Sequence, residues 1–266
     1  METDIHIVGV RLYLLPVETR VPLKFGSETL THVTCARVHL RVQDQAGRTG
    51  EGWGETPLSV QWVWPSELAY TEREERLILF CKGMVRYWAG FEHVGHALEI
   101  GHEFVKAVLP TLLDWVNEGQ AEPMPWLAAL VCCSAFDIAL HDAYGNLHGV
   151  PTYETYSAAY LNHDLRRYLG VGAGTDVTFA GRYPADYLVK PPAQLPVWHL
   201  VGGLDPLDAT ELTGSEPDDG YPVTLVDWIA RDGLKCLKVK LRGNDSEWDY
   251  CRLVRVRLVW RAVSTG

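Results

Sequence analysis

The stretch GLKCLKVKL, Gly233 to Leu241, has the composition of a buried strand yet carries Lys235, Lys238 and Lys240. On a strand, Leu237, Val239 and Leu241 point one way and Cys236, Lys238 and Lys240 the other. The apolar face belongs under helices, so the lysine face is expected to look into the closed side of a sheet or barrel. The competing reading is an edge strand that shows lysines to water to block aggregation. Two ammonium groups about 6–7 Å apart along a strand depress each other's pKa, and burial depresses it further. A lysine so placed accepts a proton near neutral pH.

Other reactive residues offer weaker patterns. His93, His96 and His102, with Glu92, Glu99 and Glu103, supply donors for a metal patch, but a solvated helix face explains them better. His141, Asp142 and His148 near a helix end read as surface groups favoured by the helix dipole. Cys35, Cys81, Cys132, Cys133, Cys236 and Cys251 form no CxxC pair. They are expected to be reduced, mostly buried small hydrophobes rather than zinc ligands. GVGAGT (170–175) has the glycines of a dinucleotide loop but no strand before it and no apolar helix after it, so a flexible connection is expected. No GxSxG nucleophile motif occurs.

The 266 residues are 47% hydrophobic and 22% charged, enough for one large or two small domains. A formal net charge of −10 argues against nucleic acid as a partner. The N-terminus lacks a signal-peptide pattern, and no run approaches the roughly 18 apolar residues of a membrane helix. These features set the expectations of a cytoplasmic protein and no membrane partner.

Residues 5–15, 33–42 and EGWGET read as a meander of three antiparallel strands, with Ala36, Val38, Leu40 and Val42 on one face. The polar segment 19–31 between the first two reads as a loop. A helix is expected from Thr71 to Gly90, with Thr71 and Glu74 as a capping box. A second is expected over 96–109, and a third over the 122–149 region with Leu127, Leu130, Val131, Ala135, Ile138, Ala139 and Tyr144 as its buried stripe. Residues 152–195 are irregular, apart from a short helix over 157–169. From Leu195 the period changes to strand, helix, strand, helix: LPVWHLVGG, a helix with Pro222 in its first turn and Gly233 past its end, LKCLKVKL, and a last helix capped near Ser246.

LKVKL at the end of that second strand resembles the Lys-x-Lys motif of the enolase superfamily, in the branch of mandelate racemase and muconate lactonizing enzyme. PLKFG (22–26) is similar to the family's mobile capping loop, and GEGWGETPLS (50–59) to its second capping loop. SAFDIALHDAYGNLHGVPTYE (134–154) is similar to the helix that ends the family's N-terminal domain, with Asp137 and Asp142 in the expected places. The resemblance implies an α+β N-terminal capping domain (1–150), a connecting segment (151–194) and the first two β/α units of a TIM-like α/β barrel (195–266). It implies a racemase, epimerase, cycloisomerase or dehydratase that removes the proton alpha to the carboxylate of a small substrate, with Mg²⁺ assistance. Carried over, Lys240 is the acid/base and Lys238 its neighbour at the carboxylate. Lys24 and Phe25 help close the site, and Trp53 and Glu55 bear on substrate choice.

The chain departs from the family in one respect. Residues 195–266 number 72, against roughly 250 for a typical barrel, so the barrel is expected to be incomplete and the metal-ligand strands to be absent. Arg252, Arg255, Arg257 and Arg261 follow the last acid, as a basic helix end or a shifted reading frame would give. The expectations are thus a truncated and inactive enzyme, a binding module without catalysis, a homo-oligomer, or half of a split enzyme completed by a C-terminal partner.

Overall fold

The computed structural model describes residues 1–25, 28–170 and 176–264. They form two compact units. Met1–Pro16 cluster with Thr34–Lys190, and Val17–Val33 with Pro191–Gly266. Residues 17–33 thus join the second unit, although the sequence pattern places them in the first domain.

Strands β1 (Ile5–Phe25), β2 (Glu28–Asp44) and β3 (Thr49–Pro57) form the meander in the order β1-β2-β3. The loop expected over 19–31 is mostly strand: β1 runs to Phe25, β2 begins at Glu28, and the Thr19 hydroxyl bonds the Thr31 carbonyl at 3.1 Å. Pro16 and Pro22 are tolerated because β1 is an edge strand. The central β2 buries Ala36, Val38, Leu40 and Val42 completely, on the face the alternation predicts.

The helices of the first unit are α1 (Val60–Val63), α2 (Tyr70–Ala89), α3 (Ala97–Ala107), α4 (Leu109–Asn117) and α5 (Trp126–His148). Thr71 does not cap α2. The N-cap is Ala69, with no side-chain cap, and Glu74 instead accepts a 2.7 Å hydrogen bond from the Thr34 hydroxyl. The capping box belongs to α3, where His96 Nδ1 accepts from Leu98 N–H and Glu99 accepts from His96 N–H, both at 3.0 Å. α5 ends at Gly149, whose φ of 67° is the left-handed cap glycine provides.

α5 is the core helix, and β3 explains how it packs. Gly50, Gly52 and Gly54 face it, paired in register with Val42, Leu40 and Val38. A Cβ on Gly52 would lie 2.1 Å from Ala143 N, one on Gly54 2.1 Å from Ala135 O, and one on Gly50 2.6 Å from Ala143 O. The helix therefore sits on the strand backbone itself. The buried stripe differs from the expected one: Leu127 and Ile138 are exposed, whereas Ala128, Cys132, Cys133, Phe136, Leu140 and Ala143 are buried. Contrary to the sequence expectation, α5 is long and apolar enough to cross a membrane by length and composition, but half of its most apolar stretch is buried inside the protein.

Among the described residues of 152–190 the helical elements are short 3-10 turns, at Thr152–Thr155, Leu165–Arg167 and Pro184–Asp186, so the helix expected over 157–169 reduces to a single turn. Most of GVGAGT (171–175) lies outside the described residues.

In the second unit, β4 (Trp198–Val201) and β5 (Cys236–Val239) pair in parallel, with Leu200 opposite Lys238 and Val201 opposite Val239. α6 (Leu225–Asp232) is capped by Thr224 and by Gly233 at φ 61°, so Pro222 precedes the helix rather than standing in its first turn. α7 (Ser246–Ser264) starts where Asp245 accepts the Trp248 N–H at 3.0 Å. Val201, Leu207, Leu225, Ile229, Leu234 and Val256 form a small core, with Leu237 and Val239 packed on it.

Candidate functional site

The C-terminal ends of parallel strands are where α/β folds assemble chemistry, because the following loops converge there. In the second unit those ends carry Gly202 and Gly203 after β4 and Lys240 after β5. Lys240 N–H donates to the Val201 carbonyl at 2.8 Å, which fixes the lysine backbone beside β4. Gly203 N–H donates to the Lys24 carbonyl at 3.1 Å, and a Cβ on Gly203 would stand 3.1 Å from Lys24 Cγ. Lys24, Lys238 and Lys240 thus belong to one unit.

Leu237 and Val239 pack on the core, as the alternation predicts. The opposite face is not closed: Lys238 is exposed, Lys240 half-buried, and Trp198 on the neighbouring strand 64% exposed. The expected burial of both lysines is therefore corrected, because a two-stranded sheet supplies nothing to cover that face. Phe25 ends β1, and its side chain lies outside the described residues.

Trp53 and Glu55 belong to the first unit, on β3 rather than on a capping loop. They occupy the face of β3 away from the glycines. Trp53 rests against His39 at 4.6 Å between ring centroids, and Glu55 is ion-paired to Arg37. Asp142 accepts the Trp53 N–H at 2.8 Å, so it ties α5 to β3 rather than acting as a surface group.

The loop after β4 is held by residues the sequence pattern passed over. The Asp205 carboxylate accepts the Gly202 N–H at 2.6 Å. The buried Arg252 guanidinium donates to the carbonyls of Gly202 at 2.9 Å and Asp205 at 2.6 Å, and burial lowers its pKa. Arg255 pairs with Asp208 and Glu211. Arg252 and Arg255, among the arginines after the last acid, therefore have structural partners. Arg20 grips Asp219 through two hydrogen bonds, of 2.6 and 2.7 Å, which hold that carboxyl down to about 2. The Gly-Gly-x-Asp run (202–205) was the available signal for this loop. A cavity of about 440 Å³ opens beside it, walled by Arg20, His199, Leu204, Glu211 and Trp228. Lys238 and Lys240 do not line it.

The histidines prove structural. His96 is fully buried at the α3 N-cap, its Nε2 3.0 Å from the Thr155 hydroxyl, and burial drives its pKa to about 3. It is neither a solvated residue nor a ligand, because Nδ1 already accepts a backbone N–H. His141 bonds the Tyr156 hydroxyl at 3.0 Å, and His148 the Thr3 carbonyl at 3.1 Å. Among the described residues no group of three His, Cys, Asp or Glu could hold a metal ion. The residues present therefore do not fit Mg²⁺. All six cysteines are free, and Cys35, Cys81, Cys132 and Cys133 are buried.

No family model matches the chain, and no curated protein matches it by sequence. Solved structures do. The L-Ala-D/L-Glu epimerase from Bacillus subtilis aligns over 96% of this chain at 16% identity and a TM-score of 0.51, covering 50% of that protein. An enolase from Bradyrhizobium, complexed with magnesium and mandelic acid, aligns over 97% of this chain at 17% identity and a TM-score of 0.51, covering 52% of it. The dipeptide epimerase from Cytophaga hutchinsonii aligns over 96% of this chain at 16% identity and a TM-score of 0.50, covering 49% of it. The chain shares the fold of these two epimerases and this enolase, and it spans about half the length of the structures it matches.

Proposed function

We propose that the chain carries part of the proton-transfer machinery of an enolase-superfamily isomerase or lyase acting on a small carboxylate. The observation that supports this reading most is the placement of Lys240 at the C-terminal end of β5, its backbone bonded to Val201 and its strand carrying Lys238 two residues earlier. Lys240 is the base that takes the proton beside the substrate carboxylate and returns it. Lys238 holds the carboxylate by charge. Lys24 and Phe25 close over the substrate, and Trp53 and Glu55 bear on which substrate enters.

Mg²⁺ supplies the charge that stabilises the enolate in this family. Because the described residues hold no donor cluster for it, no step here runs through a metal. On this reading the remaining strands and the metal donors come from sequence outside the 266 residues or from a second chain. The exposed lysine face of β4 and β5 is the surface those strands would cover.

The test is hydrogen–deuterium exchange alpha to the carboxylate, followed by NMR in D₂O with dipeptides and mandelate as the panel. The chain alone is expected to exchange none of them. Coexpressed with a C-terminal half that supplies the missing strands, it is expected to exchange at least one. Lys240→Ala should then reduce exchange by about 10²-fold or more, the usual contribution of a general base, while metal binding persists. Full exchange in Lys240→Ala, or none in any complemented form, would overturn the reading.

A further inference from the structure

The first unit holds a groove that the proposed reaction does not use. It measures about 600 Å³ and lies between α3, α5 and Tyr156, Leu165, Tyr168, Leu169 and Pro184. Leu98, Val105, Leu130 and Leu169 give it apolar walls. Asp137, on α5, supplies its one carboxylate.

That carboxylate is unusually placed. Asp137 Oδ1 rests on Gly101 of α3, where an added Cβ would come within 2.2 Å of it. Among the described residues no donor reaches hydrogen-bond distance of it. His141 Nε2 stands 3.9 Å away, and the other nitrogen of that ring is committed to Tyr156. The Asp137 side chain remains 43% exposed, yet partial desolvation pushes its carboxyl up. Tyr168 also lines the groove, and its hydroxyl is buried without a hydrogen-bond partner.

We propose that this groove binds a small amphiphilic amine, a primary ammonium on a short aryl or alkyl body. The chemistry follows from what is unsatisfied. A carboxylate accepts hydrogen bonds and carries a negative charge, and an ammonium offers three donors and one positive charge. The walls are apolar and suit a hydrocarbon body. The volume falls within the roughly 300–1,000 Å³ of small-molecule sites. An anion would meet Asp137, and the donor set is too small for a metal ion. The site lies in the other unit from Lys238 and Lys240, so neither proposal depends on the other.

The probes are phenethylamine and its neutral counterpart 2-phenylethanol, titrated by calorimetry and by NMR. Phenethylamine is expected to bind with a Kd of about 1 mM or tighter, and 2-phenylethanol about tenfold or more weakly, as loss of a charge-assisted hydrogen bond requires. Asp137→Asn should reduce the amine to the affinity of the alcohol. Gly101→Ala, which displaces the carboxylate, should do the same. Shift changes on amine binding should centre on His141 and Tyr168. Equal affinity for amine and alcohol, an unaffected Asp137→Asn variant, or no binding of the amine at about 10 mM each overturns the proposal. If Asp137→Asn fails to fold, the amine-to-alcohol ratio and the shift map of the unaltered protein still decide.

Discussion

The two units solve the same problem with very different means. Among the described residues, thirty-two buried apolar side chains make up the core of the first unit and six that of the second. The first presses a helix onto the glycine face of an antiparallel sheet. The second covers one face of a parallel pair and leaves the other, with Trp198 and Lys238, to solvent. Antiparallel sheets tolerate one open face; parallel strands ordinarily have both covered. The difference teaches that stability is concentrated in the first unit, while the second is organised around a surface it does not complete.

The largest expected effect breaks the first unit outright. Gly52→Ala places a methyl 2.1 Å from Ala143 N, and backbone cannot yield as a flexible side chain does. Overpacking usually costs about 1–3 kcal/mol, occasionally more, and this clash belongs at or beyond the upper end. Circular dichroism melting should show the main transition lowered steeply or lost. A variant that melts within a few degrees of the parent would refute the strand-on-helix packing.

Acid should also act on the first unit. His96 titrates at about 3 in the folded protein because burial disfavours its charge, against about 6.5 when unfolded. Above pH 6.5 both states are neutral and its contribution is fully present. As pH falls through 6.5 the unfolded state takes up a proton and the native state does not, so stability is lost until about pH 3. The loss is on the order of 5 kcal/mol at most. Asp137, raised by desolvation, acts with the opposite sign and offsets part of it. His96→Asn keeps a capping acceptor but removes the titration, so its stability should depend less on pH across this window. Parallel stability–pH curves for the two proteins would reject the assignment.

A gentler comparison needs no mutation. Amide exchange at residues 33–42 should be slower than at 236–239 by about a hundredfold or more, since opening free energies track local burial. Equal protection would mean that the second unit draws stability from something other than its own core.

Much of this architecture was legible in the sequence, for identifiable reasons. The alternation in β2 is regular, and Gly149 and Gly233 mark helix ends by the conformation only glycine takes easily. The two lysines of β5 fall on the face the period assigns them. The strand ends within 19–31 were misread because threonines and prolines resemble a loop locally, whereas an edge strand accepts both. The cap at Thr71 was misread because Glu74 has a partner on β2, invisible from its own helix. His96 was misread for the same reason: its neighbours in sequence are charged, but those in space are Tyr144 and Thr155. The loop around Asp205 and Arg252 joins residues 47 apart in the chain, which no local pattern encodes.

The fit of α5 on β3 has a metrical consequence. Two residues of strand advance about 6.7 Å, and four residues of helix about 6.0 Å. The two rulers nearly agree, which is why Gly54, Gly52 and Gly50 step along the helix beside Ala135, Ala139 and Ala143. They disagree by roughly 0.7 Å per step, so the phase error grows with each repeat. Over three glycines the match still holds: Gly54 lies against Ala135 O and Ala139 N, Gly52 against Ala139 O and Ala143 N, and Gly50 against Ala143 O and Leu147 Cα. A longer glycine run would drift out of phase and gain nothing. The stripe works as a short vernier: three matched marks fix where the helix stands along the strand, and sliding it by one residue would bring Ile138 or Asp142 onto a mark cut for alanine.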